Sequence, residues 1–341
     1  MVRHSKSKRI LLQLLKVMIS LGLIIFLLIR ISPGKLMPIL RGMSTFHLIN
    51  ALVIFFSSSL LGSLQWHLLL RADGIVLPFP KTFRLYFVGL FFNNFLPANV
   101  GGDAIKIYDV SRIGNDPYQV LAITLLDRVI GITGLCILAL VATFGLLKGS
   151  GLKNVTIYIV IFLGCVAPVL TLALNRRLSS SVRKLFGMIK IWGLGERFDI
   201  IFSHLGGFRR LRLLLVRLSL LAILVQFLRV TTHIFVGKAL GIEMSPERFV
   251  YFFVFVPLLG LLMVLPISIN GLGIREGTGI LLFTQIGFSE EQALLMELLT
   301  YVVMVVVSLM GGIFFLQRHL RPQGNSTEVG VRSRKGDIPT L

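Results

Sequence analysis

Seven ionisable residues stand where an apolar chain rarely carries them: Asp103, Lys106, Asp127, Arg128, Arg275, Glu276 and Glu297. Near a bilayer centre such a group costs roughly 2.5–3.5 kcal/mol even on a lenient insertion scale, so it faces a wet cavity or another charge. The chemistry open to this set is capture of an anion by the bases, with carboxylates as their counterions. Covalent chemistry finds no support: no nucleophile–base pair and no metal-ligand cluster is legible. The six histidines (4, 47, 67, 204, 233 and 319) are scattered as core or interfacial residues, and Cys136 and Cys165 sit in apolar runs as packing residues. The chain has no Walker A loop and no HExxH, and Gly271-x-Gly273-x-x-x-Gly277 has the wrong spacing for a dinucleotide fingerprint. Neither cofactor nor metal is expected.

The elements that must position these charges are two interrupted hydrophobic segments. The first reads FFNNFLPANVGGDAIKIY from Phe91 to Tyr108, and the second reads LPISINGLGIREG from Leu265 to Gly277. In each, a glycine follows the proline by five positions (Gly102, Gly271) and a base follows it by nine (Lys106, Arg275). Pro97 and Pro266 lie 169 residues apart, about half the chain. Exposed irregular backbone is not tolerated in hydrocarbon, so each segment reads as a broken or re-entrant helix whose tip is held inside protein. Paired interruptions in two halves point to a transport site at the bilayer midplane. Asn94 and Asn99 in the first tip, and Asn270 in the second, join the candidate set. Helices that restart near Asp103 and Gly273 would offer N-termini to an anion, with Gly101, Gly102, Gly271 and Gly273 allowing a phosphate close to the backbone.

The spacing of the charges repeats as well. Pro97 to Asp127 is 30 residues and Pro266 to Glu297 is 31. Asp127 and Arg128 are adjacent and point about 100° apart on a helix, so they are not each other's main partners. We expect Lys106 to pair with Asp127 and Arg275 with Glu297, leaving Arg128 for a ligand anion. The alternative is that all of these are structural ion pairs locking two hairpins.

A mean hydropathy of +0.86, with 55% hydrophobic and 15% charged residues, marks an integral membrane protein. The net charge of +20 does not indicate nucleic acid, because the bases sit in short loops beside apolar runs. Full spans are expected at Ile10–Ile31, His47–Leu70, Tyr118–Leu147, Asn154–Leu174, Leu213–Leu240 and Glu291–Leu316. With broken segments at Phe83–Gly102 and Phe249–Phe288, the fold class is an all-α integral membrane protein of about eight hydrophobic segments, six spans and two re-entrant hairpins. If both broken segments return to the side they entered, the cytoplasmic pieces hold 23 bases and the outer loops five. That layout obeys the positive-inside bias, places both termini in the cytoplasm and inverts the two halves, roughly 47–147 and 213–317. Residues 1–317 are then one membrane domain and 318–341 a basic cytoplasmic tail.

The stretches NNFLPANVGGDAIKIY, LLDRVIG at Leu125 and LPISINGLGIREG together resemble the flippase-like membrane domain family, which includes the transmembrane region of lysylphosphatidylglycerol synthases. The resemblance covers nearly the whole chain. It assigns motif positions to Asn94, Pro97, Gly101, Gly102, Asp103, Asp127, Arg128, Pro266, Asn270, Gly271, Gly273, Arg275 and Glu276. It implies movement of a lipid with an anionic or modified headgroup, of phosphatidylglycerol type or polyprenyl-phosphate-linked, across the cytoplasmic membrane. The synthases add a soluble aminoacyl-transferase domain after this region. Here a tail of about twenty-five residues follows, so lysyl transfer by this chain alone is not expected. The rival readings are a membrane enzyme or enzyme subunit acting on a lipid phosphate, and a non-catalytic scaffold for a lipid-modifying enzyme. The expected partners are a membrane phospholipid or polyprenyl-phosphate lipid and a lipid-modifying enzyme, with no nucleic acid.

Overall fold

The computed structural model describes residues 33–94, 101–146, 211–263, 271 and 273–320, with short pieces between 157 and 208. The described residues form helices joined by short turns and loops, with no strand among them. The helices are α1 (Pro33–Arg41), α2 (Thr45–Ala72), α3 (Phe79–Asn93), α4 (Gly101–Ser111), α5 (Pro117–Leu146), α6 (Arg212–Ala239), α7 (Pro246–Leu262), α8 (Ile274–Phe283) and α9 (Glu290–Leu320).

Four of these helices, α2, α5, α6 and α9, are long and apolar enough to cross a membrane. At 1.5 Å per residue, 28 residues reach about 42 Å, well past a hydrocarbon core of about 30 Å. They match four of the expected spans. Ile10–Ile31 lies outside the described residues, and Asn154–Leu174 is described only in part. The long helices leave bulky apolar side chains uncovered: Val302, Val306, Leu309, Ile313 and Leu316 run along one stripe of α9, and Leu213, Val216, Leu220, Leu224 and Phe227 along α6. Exposed apolar stripes of that length suit lipid rather than water, and the protein is membrane-embedded.

Local signals start these helices where polar loops end. α5 and α7 have proline at their first position and α3 at its second, where a missing N–H costs nothing. Ser289 and Gln292 close a reciprocal capping box at α9: Gln292 N donates to Ser289 Oγ at 3.1 Å and Ser289 N to Gln292 Oε1 at 3.0 Å. In the middle of α2, Ser58 and Ser59 donate to the Phe55 carbonyl at 2.8 and 2.9 Å, and Ser63 to the Leu60 carbonyl at 2.7 Å. Their hydroxyls are thus satisfied within the helix, and the small, buried face of Ala51, Ser58, Ser59, Gly62 and Ser63 lets another helix approach.

The most extensive helix contact is α2 on α6. Around it the partners cross over: α3 lies along α9, and α7 lies along α5. Buried phenylalanines fill the main core, with Phe87 from α3, Phe252 and Phe255 from α7 and Phe283 from α8 in one cluster.

The interrupted segments are pairs of short helices. α3 has 15 residues and α4 has 11; α7 has 17 and α8 has 10. Each is shorter than the ~20 residues a simple span needs. α3 and α4 pack against one another. Their crossing is close because it is made of glycines: a Cβ on Gly102 would collide with the Gly89 carbonyl oxygen and with Asn93 Oδ1. Gly102 N donates to that same Asn93 Oδ1 at 2.8 Å. Before α8, Gly271 and Gly273 have φ of +75° and +84°, which L side chains rarely adopt. Pro97, Asn99, Pro266 and Asn270 lie outside the described residues.

Candidate functional site

A cavity of about 320 Å³ lies between the long helices and the two pairs of short ones. Its wall takes Gln65 from α2, Tyr86 and Asn93 from α3, Asp103 and Lys106 from α4, and Asp127 and Arg128 from α5. From the second half of the chain come Gln226, Arg229 and His233 on α6, Met263 after α7, Arg275 on α8 and Thr300 on α9. Of the sequence candidates, Asn94, Asp103, Lys106, Asp127, Arg128 and Arg275 line it. Glu276 and Glu297 are fully buried just behind Arg275. Gly101 and Gly102 open α4, and Gly271 and Gly273 lead into α8; none of the four is among the lining residues. Asn99 and Asn270 lie outside the described residues.

On the first side, Asp103 is the hub. Its Oδ1 lies 2.8 Å from Lys106 Nζ, and Arg128 Nε donates to its Oδ2. Lys106 Nζ also sits 5.1 Å from both the Trp66 and Tyr86 ring centroids, so the buried ammonium is held by one carboxylate and two aromatic faces. Asp127 instead accepts from Gln65 Nε2 at 2.7 Å. This corrects the sequence expectation twice. Lys106 pairs with Asp103 rather than Asp127, and Arg128, expected without a protein partner, donates to Asp103 while still lining the cavity. The reason is local: positions i and i+3 share a helix face, so Asp103 and Lys106 meet as soon as α4 forms.

On the second side, Arg275 is the hub. Its Nη2 donates to Glu276 Oε1 at 2.7 Å and to the Glu297 carbonyl at 2.8 Å. Its Nε lies 3.1 Å from Glu297 Oε2, the contact expected from the spacing. That contact is an ion pair without a hydrogen bond, because the geometry misses the N–H axis and neither atom has a hydrogen-bond partner. The guanidinium also lies 5.3 Å from the Tyr301 ring centroid. Glu276 Oε2 accepts from Gly273 N at 2.6 Å and so occupies the start of α8, where an incoming phosphate was expected. Asp103 plays a similar part electrostatically in the first turn of α4. Asn94, another candidate, is buried and donates to Ser308 Oγ on α9 at 2.6 Å, fastening the end of α3.

Sequence reasoning passed over Arg229 and His233. They are one turn apart on α6, and both line the cavity. No carboxylate among the described residues is within ion-pair distance of Arg229, and its buried Nε has no hydrogen-bond partner within the protein. Gln65 Oε1, Trp66 Nε1, Arg275 Nε and both Glu297 carboxylate oxygens share that state. Buried polar atoms are nearly always paired, so unpaired ones ask for an explanation. Among the described residues, all six such atoms belong to residues on this cavity's wall or directly behind it.

Known proteins place the chain in a family. Over 97 residues it is 28% identical to a UPF0104 membrane protein of Methanothermobacter thermautotrophicus, a match that spans 28% of each chain. Residues 13–312 match the model of the Lysylphosphatidylglycerol synthase TM region, and the chain belongs to that membrane protein family.

Proposed function

We propose that the chain is a flippase that moves a lipid with an anionic headgroup across the cytoplasmic membrane through this cavity. The observation that carries the reading is the set of buried polar atoms without a hydrogen-bond partner around one cavity that also holds Arg229, a guanidinium with no ion-pair partner among the described residues. A phosphate fits that need, because guanidinium N–H groups bind its oxygens at two points. Gln65 Oε1 can accept a hydrogen bond from a hydroxyl of a glycerol or sugar headgroup. A volume of about 320 Å³ holds a headgroup and leaves the acyl chains to the surrounding lipid. Phosphatidylglycerol and polyprenyl-phosphate lipids share this chemistry.

The exchange of partners between α3–α9 and α7–α5, about the central α2–α6 pair, supports two structurally related halves, 47–147 and 213–317. Inverted halves meeting at a charged midplane site suit alternating access, with the cavity opening to each side in turn. The base distribution supports cytoplasmic termini.

The test is lipid movement in proteoliposomes made with the purified chain alone. Fluorescent phosphatidylglycerol in the inner leaflet becomes open to an impermeant quencher when protein is present, and a zwitterionic analogue stays protected. Protection of both lipids would reject the flippase and leave the enzyme-subunit or scaffold reading.

A further inference from the structure

The second-half cluster and the anion site meet at His233, and their charges are matched. Lys106, Arg128, Arg229 and Arg275 are the bases at the site; Asp103, Asp127, Glu276 and Glu297 are its carboxylates. Fully ionised, the set is neutral. A monoanionic phosphodiester entering it adds one uncompensated negative charge in a poorly hydrated place, which is costly. One proton restores the balance.

The hydrogen bonding decides where that proton goes. Asp103 is held by Lys106 and Arg128, Asp127 accepts from Gln65, and Glu276 accepts from Gly273 N and Arg275. Glu297 is fully buried, and neither of its carboxylate oxygens accepts a hydrogen bond. Arg275 and Glu276 on α8 and His233 on α6 are the charged or titratable groups facing it, with Tyr301 one turn on along its own helix. Among the described residues, α2 and α3 bring no charge within ion-pair distance of it.

His233 joins Glu297 to the cavity. Its Nδ1 lies 3.1 Å from the Arg229 carbonyl, which can only accept, so Nδ1 carries a proton. Its Nε2 lies 3.8 Å from Glu297 Oε2. In the neutral ring Nε2 is an acceptor, and an ionised carboxylate gives it nothing to accept. A single proton between the two resolves the mismatch. On this basis, and resting on the anionic-headgroup reading above, we infer that headgroup binding at Arg229 is coupled to uptake of one proton by Glu297, passed from cavity water through His233 Nε2. Release of the headgroup returns that proton by the same route, so a proton gradient can drive the lipid.

The test measures proton linkage in purified protein in detergent, with short-chain phosphatidylglycerol as the probe. Calorimetric titrations in two buffers of different ionisation heat give the protons taken up per lipid. The expected result is about one proton per lipid, with affinity weakening about tenfold per pH unit on the alkaline side. In Glu297→Gln, proton uptake vanishes and the affinity becomes flat with pH. An infrared band of a protonated carboxyl, growing in the wild type as the lipid binds, reads the same event without any variant. Lipid binding with no proton uptake, or equal uptake in wild type and Glu297→Gln, overturns the coupling and leaves the anion site standing. Failure of the folded wild type to bind the lipid overturns both.

Discussion

Asp103 is the residue whose removal best separates the observed ion-pair network from the one the spacing suggested. Its side chain is only 8% exposed and touches two cations, Lys106 at 2.8 Å and Arg128. Arg128 is about a third exposed (32%), so water compensates much of its loss. Lys106 is 7% exposed, and Asp103 is the carboxylate within ion-pair distance of it among the described residues, beside two aromatic faces at 5.1 Å. Leaving one partner of a buried pair alone costs about 3–5 kcal/mol, and that is the destabilisation expected for Asp103→Ala. Asp127→Asn keeps an acceptor for the neutral Gln65 amide and is expected to cost about 1 kcal/mol. Replacing both members of a buried pair by apolar groups is often nearly neutral. Asp103→Ala with Lys106→Met should therefore recover most of the loss, a coupling of about 2–3 kcal/mol. The same cycle between Lys106 and Asp127 should give less than about 1 kcal/mol. The assay is the unfolding free energy of the purified protein in mixed micelles titrated with a denaturing detergent. A larger coupling for Lys106–Asp127 than for Lys106–Asp103 would refute the assignment.

The α3–α4 packing, the proposed anion site and the proposed topology each give a shorter test. Gly102→Ala drives a methyl into the Gly89 carbonyl and should cost about 1–3 kcal/mol; Gly277→Ala, which meets nothing within 4 Å, should be neutral or slightly stabilising, both read as detergent-melting shifts. Arg229→Ala breaks no ion pair among the described residues, so it should stay folded while losing lipid movement, and Arg229→Lys should restore it only in part because an ammonium lacks the planar two-point grip; normal flipping in the alanine variant would remove Arg229 from the site. Single cysteines at Ser179, in the basic stretch 175–212 that this layout places in the cytoplasm, and at Thr327 in the tail, in a background without Cys136 and Cys165, should resist an impermeant thiol reagent in intact cells, and labelling at either would reject the layout.

What the sequence disclosed, and what it hid, follows from how far each contact depends on assembly. The four described spans were legible because a run of about twenty apolar residues is a one-dimensional signal. The interruptions were legible because proline and glycine cannot continue a helix cheaply, and they fall where α3 and α7 stop and α4 and α8 begin. Arg275 and Glu297 were matched by the repeated spacing, although the adjacent Glu276 makes the shorter contact with Arg275. For Lys106, two carboxylates competed, and the repeat pattern pointed to Asp127 while simple helix geometry pointed to Asp103. Geometry within one helix won, since it needs no second helix in place.

Arg229 was hidden for a different reason. α6 scatters its polar residues over several faces among the apolar ones, so its sequence carries little overall periodicity to say which face turns inward. Packing sets the rotation instead. Gln226 is buried and donates to the Gly131 carbonyl of α5 at 3.1 Å, and Ala222 meets the close approach of Gly134. These contacts turn Leu220, Leu224 and Phe227 out toward lipid. Arg229 and His233, three and seven residues beyond Gln226, follow it onto the inner face. A base in the middle of a span is costly unless it faces protein or water, so that inner face was the physically required one. The signal available in the chain was therefore the Arg229–His233 pair at i and i+4, read together with the buried amide one turn earlier, rather than any named motif.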